Sequence, residues 1–372
     1  MLALFCITLF IFIAMKKNIA IIFGGKSPEH EVSVISARNI YNAIDKSLFS
    51  CQLIGISSMG IWYLEMPEAL AADGFVIGQS GYALALAPGS TTPIIRLDNH
   101  EPIPHLDAVF PITHGPNGED GSLQGVLKHL GLAYVGPDVL GSAVAMDKDV
   151  CKRLFMEAGI GCAEGIVLYR HEKYEIDYQK IITELGIPLF VKPCNMGSSI
   201  GVSKAEDIAQ LHDAVDEAFK YDTKILIEKA VIGRELECAV LGNEHPQASG
   251  VGEVRVNEGF YDFETKYVND DAQLDIPALR VSDEDLQRIR ATAIHAYRTL
   301  GLEGLTRVDV FLTPDHRVIV NEVNTLPGFT NISMYPKLWQ NSGIDYSHLI
   351  SKLIELAIAR QQRTLSLKTS RL

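Results

Sequence analysis

The hydrophobic pattern of the chain alternates between strand-like and helix-like periods. Asn18 to Phe23 is almost entirely apolar, as a strand covered on both faces would be. Ser27-Pro28-Glu29 then reads as a helix start, with serine as cap and proline at the first position, and the helix runs through Ile40 and Ala43. Strands follow at Cys51 to Ser57 and Ala108 to Pro111, the second leading through His114-Gly115-Pro116-Asn117-Gly118-Glu119-Asp120-Gly121 into a helix from Ser122 to Leu130. Between them, residues 65–104 are rich in Pro, Gly and Ala and read as an irregular excursion. Such a rhythm implies a parallel sheet whose ligands lie at the carboxyl ends of the strands, where Glu29 and His114 both fall.

A second unit begins near Ala145-Met146-Asp147-Lys148. It continues with a helix from Lys148 to Ala158, a strand Gly165 to Leu168, a helix Tyr178 to Leu185 and a strand Leu189 to Lys192. After the loop Asn195 to Gly201 come a helix Ala205 to Phe219 and a strand Lys224 to Glu228. A third unit opens with a strand Glu235 to Leu241 and contains a long polar stretch, Val254 to Asp275, then a helix Asp283 to Leu300. The last helix repeats Leu349, Ile350, Leu353, Ile354, Ala357 and Ile358 at helical spacing and reads as an amphipathic cap, with a loose tail from Gln361.

The most informative stretch is Leu305 to Pro327, two β-branched runs joined by a polar turn around Asp315 and His316. With those two residues as the loop, Asp309 stands opposite Glu322 and Arg307 opposite Asn324, all on one face. Facing carboxylates repel, so a positive group is expected between them, and Asp, Glu and Asn oxygens suit Mg²⁺ completed by substrate phosphates. An exposed polar sheet face would give the same alternation. The Gly197-Ser198-Ser199-Ile200-Gly201 loop has amides and hydroxyls able to cradle phosphate, although it is neither a Walker sequence nor a dinucleotide fingerprint. Lys192 just upstream and Lys148 supply two ammonium groups for a triphosphate, or else two solvated surface charges. Leu226-Ile227-Glu228-Lys229-Ala230-Val231 is an interdomain strand of the kind that borders adenine, with Glu235 placed for ribose hydroxyls or, equally, as a linker acid.

Composition narrows the partners. The 372 residues suffice for two or three domains, and 47% hydrophobic with 21% charged residues is the profile of a soluble globular enzyme. A formal net charge of −13 argues against a nucleic-acid surface. The six cysteines lack metal spacing and read as reduced, packed thiols. Leu2 to Ala14 is apolar but shorter than the roughly 20 residues of a spanning helix, and Met15 directly precedes the first strand. Residues 1–14 therefore read as an upstream extension with Met15 as the native start, the alternative being a weak membrane anchor.

Seven separated motifs resemble the ATP-grasp superfamily and, within it, the D-alanine–D-alanine ligases. They are Gly24 to Ser33, His114-Gly115 with Gly118 to Gly121, Met146-Asp147-Lys148, Val191-Lys192-Pro193, Gly197 to Gly201, Tyr261-Asp262 with Lys266-Tyr267, and Arg307-Val308-Asp309 with Glu322 to Thr325 and Pro327-Gly328. The resemblance runs from Lys17 to about Ala359. It implies an α/β protein of ATP-grasp fold: an N-terminal parallel-sheet domain (15–147), a central subdomain (148–230) and a C-terminal subdomain with the metal site and lid (231–372). The implied reaction phosphorylates one D-alanine with ATP and joins it to a second.

The same resemblance assigns roles residue by residue. Asp309, Glu322 and Asn324 would hold two Mg²⁺ or Mn²⁺. Lys148 and Lys192 would contact the α- and β-phosphates and Lys266 the γ-phosphate, with Ser198 and Ser199 in the phosphate loop. Glu228, Lys229, Val231 and Glu235 would line the adenine and ribose pocket. Glu29 and His114 would receive the first substrate, Ser333 and Met334 the second substrate's carboxylate, and Arg307 with the Gly328 amide the oxyanion. Glu29, Ser198 and Tyr267 would form a hydrogen-bonded set, Tyr267 lying on a lid from Val254 to Asp275. Tyr267 favours the dipeptide, because relatives that make D-alanyl-D-lactate generally carry Phe there. Met196 departs from the Glu or Leu of many relatives. A cytoplasmic homodimer without membrane attachment is implied; a D-alanyl-D-lactate ligase and a non-catalytic nucleotide-binding regulator are the competing readings.

Overall fold

The computed structural model describes residues 16–255 and 273–368. Among these, strands gather into three sheets of six, four and five strands. The chain begins with β1 (Lys17–Gly24), α1 (His30–Ala43), β2 (Phe49–Ile56), β3 (Trp62–Glu65), α2 (Pro67–Ala71), β4 (Tyr82–Leu86), β5 (Ile94–Arg96), β6 (Ala108–Pro111), α3 (Ser122–His129) and α4 (Val139–Met146). The first sheet has the order β5-β4-β3-β2-β1-β6. β1 lies parallel to both β2 and β6, so its residues are covered on both sides and Ile19 to Phe23 are fully buried.

Two expectations fail in this first part. The excursion at 65–104 is not irregular: β4 and β5 extend the sheet as antiparallel strands beyond β3. Their short runs, Tyr82 to Leu86 and Ile94 to Arg96, are too brief to carry a clear period. Helix α1 starts at His30, three residues beyond the expected serine cap. Ser27 instead accepts the Glu29 amide at 3.1 Å through its hydroxyl, a local turn that leaves Glu29 at the helix entrance rather than inside it.

The central sheet follows α5 (Lys148–Glu157) and contains β7 (Gly165–Tyr169), β8 (Leu189–Pro193), β9 (Ser203–Ala205) and β10 (Lys224–Lys229) in the order β7-β10-β8-β9. Helices α6 (Tyr178–Leu185) and α7 (Ile208–Ala218) cover it, burying Ile181, Leu185, Leu211 and Val215 against Leu189, Val191 and Ile225. Helix α5 belongs to a different core: Cys151 and Phe155 pack with Ile289 and Val308 of the following unit.

That unit has β11 (Arg234–Gly242), β12 (Gln247–Arg255), β13 (Gln273–Asp275), α8 (Asp283–Thr299), β14 (Gly304–Leu312), β15 (Val318–Asn324), α9 (Met334–Asn341) and α10 (Tyr346–Leu365), with sheet order β13-β12-β11-β14-β15. The apolar stripe of α10 packs as expected, and its Leu349, Ile350, Leu353 and Ile354 join the core beneath β1 and β6. The tail is not loose at Gln361, since α10 continues to Leu365. Arg360 anchors it, donating from Nη2 to Tyr134 O at 2.7 Å and from Nη1 to Gly136 O. The lid expectation for Val254 to Asp275 falls largely outside the described residues, as do residues 1–14. Among the described residues no helix is long and apolar enough to cross a membrane.

Candidate active site

The β14–β15 hairpin places its polar residues as the pattern suggests, by an unexpected route. Asp309 pairs with Glu322 and Arg307 with Asn324. The turn, however, closes Thr313 on Arg317 at 3.0 Å around three residues, with His316 at φ 62. A three-residue loop alone would shift the register by one and turn Glu322 to the other face. A bulge restores it: Val310 pairs with Val320, and Asn321 is the extra residue.

The neighbouring strand completes a charged row. Glu237 of β11 pairs with Asp309, so Glu237, Asp309 and Glu322 stand abreast across three strands. The positive group between acids is Arg307, whose Nε and Nη2 reach both Asp309 oxygens at 2.7 Å and whose Nε lies 2.8 Å from Glu237 Oε2. Burial works against the guanidinium charge, yet Asp309 and Glu237 raise its pKa well above the ordinary value. Asn324 Nδ2 donates to Asp309 Oδ2 at 2.9 Å. Among the described residues no three His, Cys, Asp or Glu side chains converge closely enough to hold a metal alone. Two carboxylates and an amide do fit Mg²⁺ when phosphate oxygens complete its shell.

Between the central and C-terminal sheets lies a cleft of about 920 Å³, open solvent included. Its walls bring together Lys148, Lys192, Gly197, Ser199, Glu228, Lys229, Val231, Glu235 and Glu322, residues drawn from both sheets and the loop between β8 and β9. Lys192 Nζ sits 2.7 Å from Glu228 Oε2 and donates to Asn321 Oδ1 at 3.3 Å. Lys152 ion-pairs with the other Glu228 oxygen. Burial alone would push Glu228 up, but Lys192 and Lys152 prevail and hold it down at about 2. Lys192 is raised for the reciprocal reason: burial opposes its charge, and Glu228, with Glu322 and Glu235 farther off, outweighs that opposition.

The Gly197 loop is docked on two sides. Lys148 Nζ donates to Met196 O at 2.6 Å, and Ser198 Oγ donates to Glu29 Oε1 across 169 residues of chain. Ser198 and Ser199 both take positive φ, 52 and 58, a costly conformation for residues other than glycine. Glu29 is 6% exposed and tightly confined: a Cβ on Gly115 would come within 2.9 Å of its Oε2. A smaller cavity continues from the cleft, sharing Lys148, Met196, Gly197, Asn321 and Glu322 and reaching Glu119, Asn324 and Thr325.

His114 and Glu119 grip one residue from two sides. His114 Nδ1 lies 3.0 Å from Leu326 O and donates to it, while the Leu326 amide donates to Glu119 Oε1 at 3.1 Å. That bond fixes the tautomer, leaving His114 Nε2 as an acceptor buried without a partner among the described residues. Burial lowers the His114 pKa although Glu29 pulls it up. Glu119 also accepts the Gly115 amide at 2.7 Å, but burial and the Glu29 charge outweigh both amides and raise it to about 8.

Beyond Leu326 the chain passes Gly328 to Ser333, held by the Phe329 amide on Ser36 Oγ at 3.3 Å and by Tyr346 OH on Phe329 O at 2.8 Å. A Cβ on Gly328 would lie 2.7 Å from Ser333 Oγ, so those two positions are adjacent. Met334 opens α9 with its side chain in the core, which leaves only its backbone amide to meet a ligand. Sequence reasoning missed Lys152, Glu119, Glu237 and Asn321. Lys152 follows Lys148 by four positions, a weak helical signal, and Glu119 stands inside the Gly118 to Gly121 motif but was given no role; Glu237 and Asn321 become visible only through strand pairing. Lys266 and Tyr267 lie outside the described residues.

Three α/β sheets with a two-sided cleft between the second and third, Lys148, Lys192 and Lys229 on the central side and Glu235 and Glu322 on the C-terminal side, define an ATP-grasp enzyme. The comparisons sharpen this. A family model described as D-ala D-ala ligase N-terminus matches residues 18–137, and one described as D-ala D-ala ligase C-terminus matches residues 154–355. Relatives named D-alanine--D-alanine ligase are 52% identical over 362 residues in Shouchella clausii and 49% identical over 361 residues in Proteus mirabilis, each alignment covering 95% of this chain and 98% of the relative. The solved D-alanine-D-alanine ligase from Coxiella burnetii superposes with a TM-score of 0.83 at 38% identity, covering 94% of this chain and 97% of its own. VanG D-Ala:D-Ser ligase from Enterococcus faecalis gives 0.84 at 36% identity, covering 92% and 99%. This chain belongs to the D-alanine–D-alanine ligase family.

Proposed function

We propose that this protein joins two D-alanines into D-alanyl-D-alanine for peptidoglycan precursors, converting ATP to ADP and phosphate through an acyl phosphate. The observation that carries the reading is the continuity of the two cavities: lysines suited to phosphate share walls with the hairpin's Asn321, Glu322 and Asn324. Nucleotide and metal-type ligands therefore meet at one place, next to the loop that Glu29 holds.

In this reading ATP occupies the cleft with its base and ribose along Glu228, Lys229, Val231 and Glu235. Lys148, Lys192 and Lys266 take the phosphates, with Ser198 and Ser199 in the loop beside them. Asp309, Glu322 and Asn324 would hold two Mg²⁺, or Mn²⁺, whose charge offsets that of the phosphates during transfer. Asn324 would present its amide oxygen, the opposite orientation to its present donation to Asp309.

The first D-alanine's ammonium meets Glu29 and His114 Nε2. Its carboxylate attacks the γ-phosphorus and ADP leaves. Ser333 and the Met334 amide hold the second carboxylate at the N-terminus of α9, where no side chain among the described residues caps the helix. The second amine attacks the acyl carbon of the acyl phosphate, and the oxyanion that forms faces Gly328 and Arg307. Losing one such donor typically costs on the order of 10²–10³ in rate. Tyr267, with Glu29 and Ser198, would close the lid from Val254 to Asp275 and exclude water from the acyl phosphate.

The family resemblance implies a cytoplasmic homodimer, and sedimentation checks the assembly. The acceptor is the finer question, since one structural neighbour carries D-serine in its name. Purified protein given ATP, Mg²⁺ and D-alanine, with D-serine or D-lactate in excess, should release ADP and yield chiefly D-alanyl-D-alanine by mass. A mixed product as the main species would reassign the acceptor, and no ADP in any mixture would overturn the enzymatic reading.

A further inference from the structure

The smaller cavity that continues from the nucleotide cleft is bordered by a lysine, Lys152, to which the mechanism above gives no task. Lys152 lies one helical turn beyond Lys148 on α5, so both side chains leave the same face. It is only 6% exposed, borders the smaller cavity and ion-pairs with Glu228 Oε1, while Lys192 Nζ lies 2.7 Å from Oε2. Helix α5 packs with the C-terminal core and Glu228 belongs to β10 of the central sheet, so this contact joins the two units. A buried ammonium is costly unless paired, yet one carboxylate here serves two ammonium groups, a set with one net positive charge.

We propose that Lys152 is a positioning residue for Lys192: by occupying one oxygen of Glu228 it divides that carboxylate's hold and leaves a net positive charge for phosphate. The proposal rests on the reading of this cleft as the ATP site. Without Lys152, the whole charge of Glu228 would fall on Lys192, and the pair presented to a nucleotide would be neutral. Asn321 Oδ1 steadies Lys192 from the other side but is uncharged and cannot replace the missing cation. A mere structural plug between α5 and β10 would need no effect on nucleotide affinity.

The test is calorimetric titration of MgADP into the full-length protein. Lys152→Met is expected to weaken MgADP by about tenfold or more, with KM for D-alanine moving less than about twofold, and Lys152→Arg to recover most of the affinity. In a Glu228→Gln background the same Lys152→Met change should cost less than about threefold, because the carboxylate through which it acts is neutral. Circular dichroism checks folding, and Lys152→Gln, a neutral donor to Glu228, replaces Lys152→Met in the same comparison should the latter not fold. Unchanged MgADP affinity, or equal losses in both backgrounds, would overturn the proposal. Wild-type protein that binds no MgADP would instead overturn the assignment of the cleft.

Discussion

Ser198 donates its hydroxyl hydrogen to Glu29, joining the phosphate-type loop of the central unit to the mouth of the N-terminal sheet. One bond thus links the proposed nucleotide and first-substrate sites. Ser198→Ala is expected to lower kcat/KM for D-alanine by about tenfold or more, the scale of a hydrogen bond to a charged group. Steady-state ADP release measures it, and an unchanged value would remove Ser198 from substrate handling.

Gly115→Ala attacks the same carboxylate from the opposite side. Gly115 has φ +72 and its added Cβ would stand 2.9 Å from Glu29 Oε2, so Glu29 must shift. The expected outcome is a KM for D-alanine raised by about tenfold, with MgADP affinity retained, since a displacement of this kind can cost up to about 10² in rate. Equal losses for both ligands would point to general unfolding instead.

Glu322→Gln addresses the metal. Removing one of two facing carboxylates should raise the Mg²⁺ concentration for half-maximal activity by more than the roughly 10–100-fold typical of lost outer-shell partners. Magnesium titration of ADP release decides it; an unchanged midpoint would place the metal elsewhere.

Glu119 makes stability depend on pH. Its folded pKa of about 8 exceeds the unfolded value of roughly 4.3, so between these values the folded state binds more protons. Its stabilising contribution is therefore complete below the unfolded pKa and is lost as pH rises through 8. Urea unfolding of wild type and Glu119→Gln at pH 5.5, 7 and 8.5 should show a steeper decline in the wild type, because glutamine does not titrate. Parallel profiles would contradict the raised pKa.

The α10 anchor is structural. Arg360→Met leaves the Tyr134 and Gly136 carbonyls without their buried donor and should cost about 2–4 kcal/mol, with KM values unchanged. Thermal and urea unfolding measure the loss.

Much of this arrangement was legible because the period of the pattern matches the element that forms. The apolar run at Asn18 to Phe23 became a strand between two parallel partners, and Tyr178 to Leu185 became α6 at the expected bounds. The facing of Asp309 and Glu322 was read correctly although the turn was not, because the three-residue loop and the bulge at Asn321 cancel. No local signal marks such a bulge. The strands β4 and β5 were hidden by their brevity, and α4 by a run of small apolar residues, Val139 to Met146, that lacks a polar face. Lys152 reads as an ordinary surface lysine until β10 brings Glu228 against it. A charge pair between separate elements has no spacing in sequence.

The acyl phosphate is tested most directly by isotope transfer. D-alanine labelled with ¹⁸O in both carboxylate oxygens is turned over with ATP and Mg²⁺, and the released phosphate is weighed. Attack of the carboxylate on the γ-phosphorus followed by amine attack on carbon leaves one ¹⁸O in each phosphate formed. Phosphate carrying no label would show that the carboxylate oxygen never bonds to phosphorus and would contradict the proposed route.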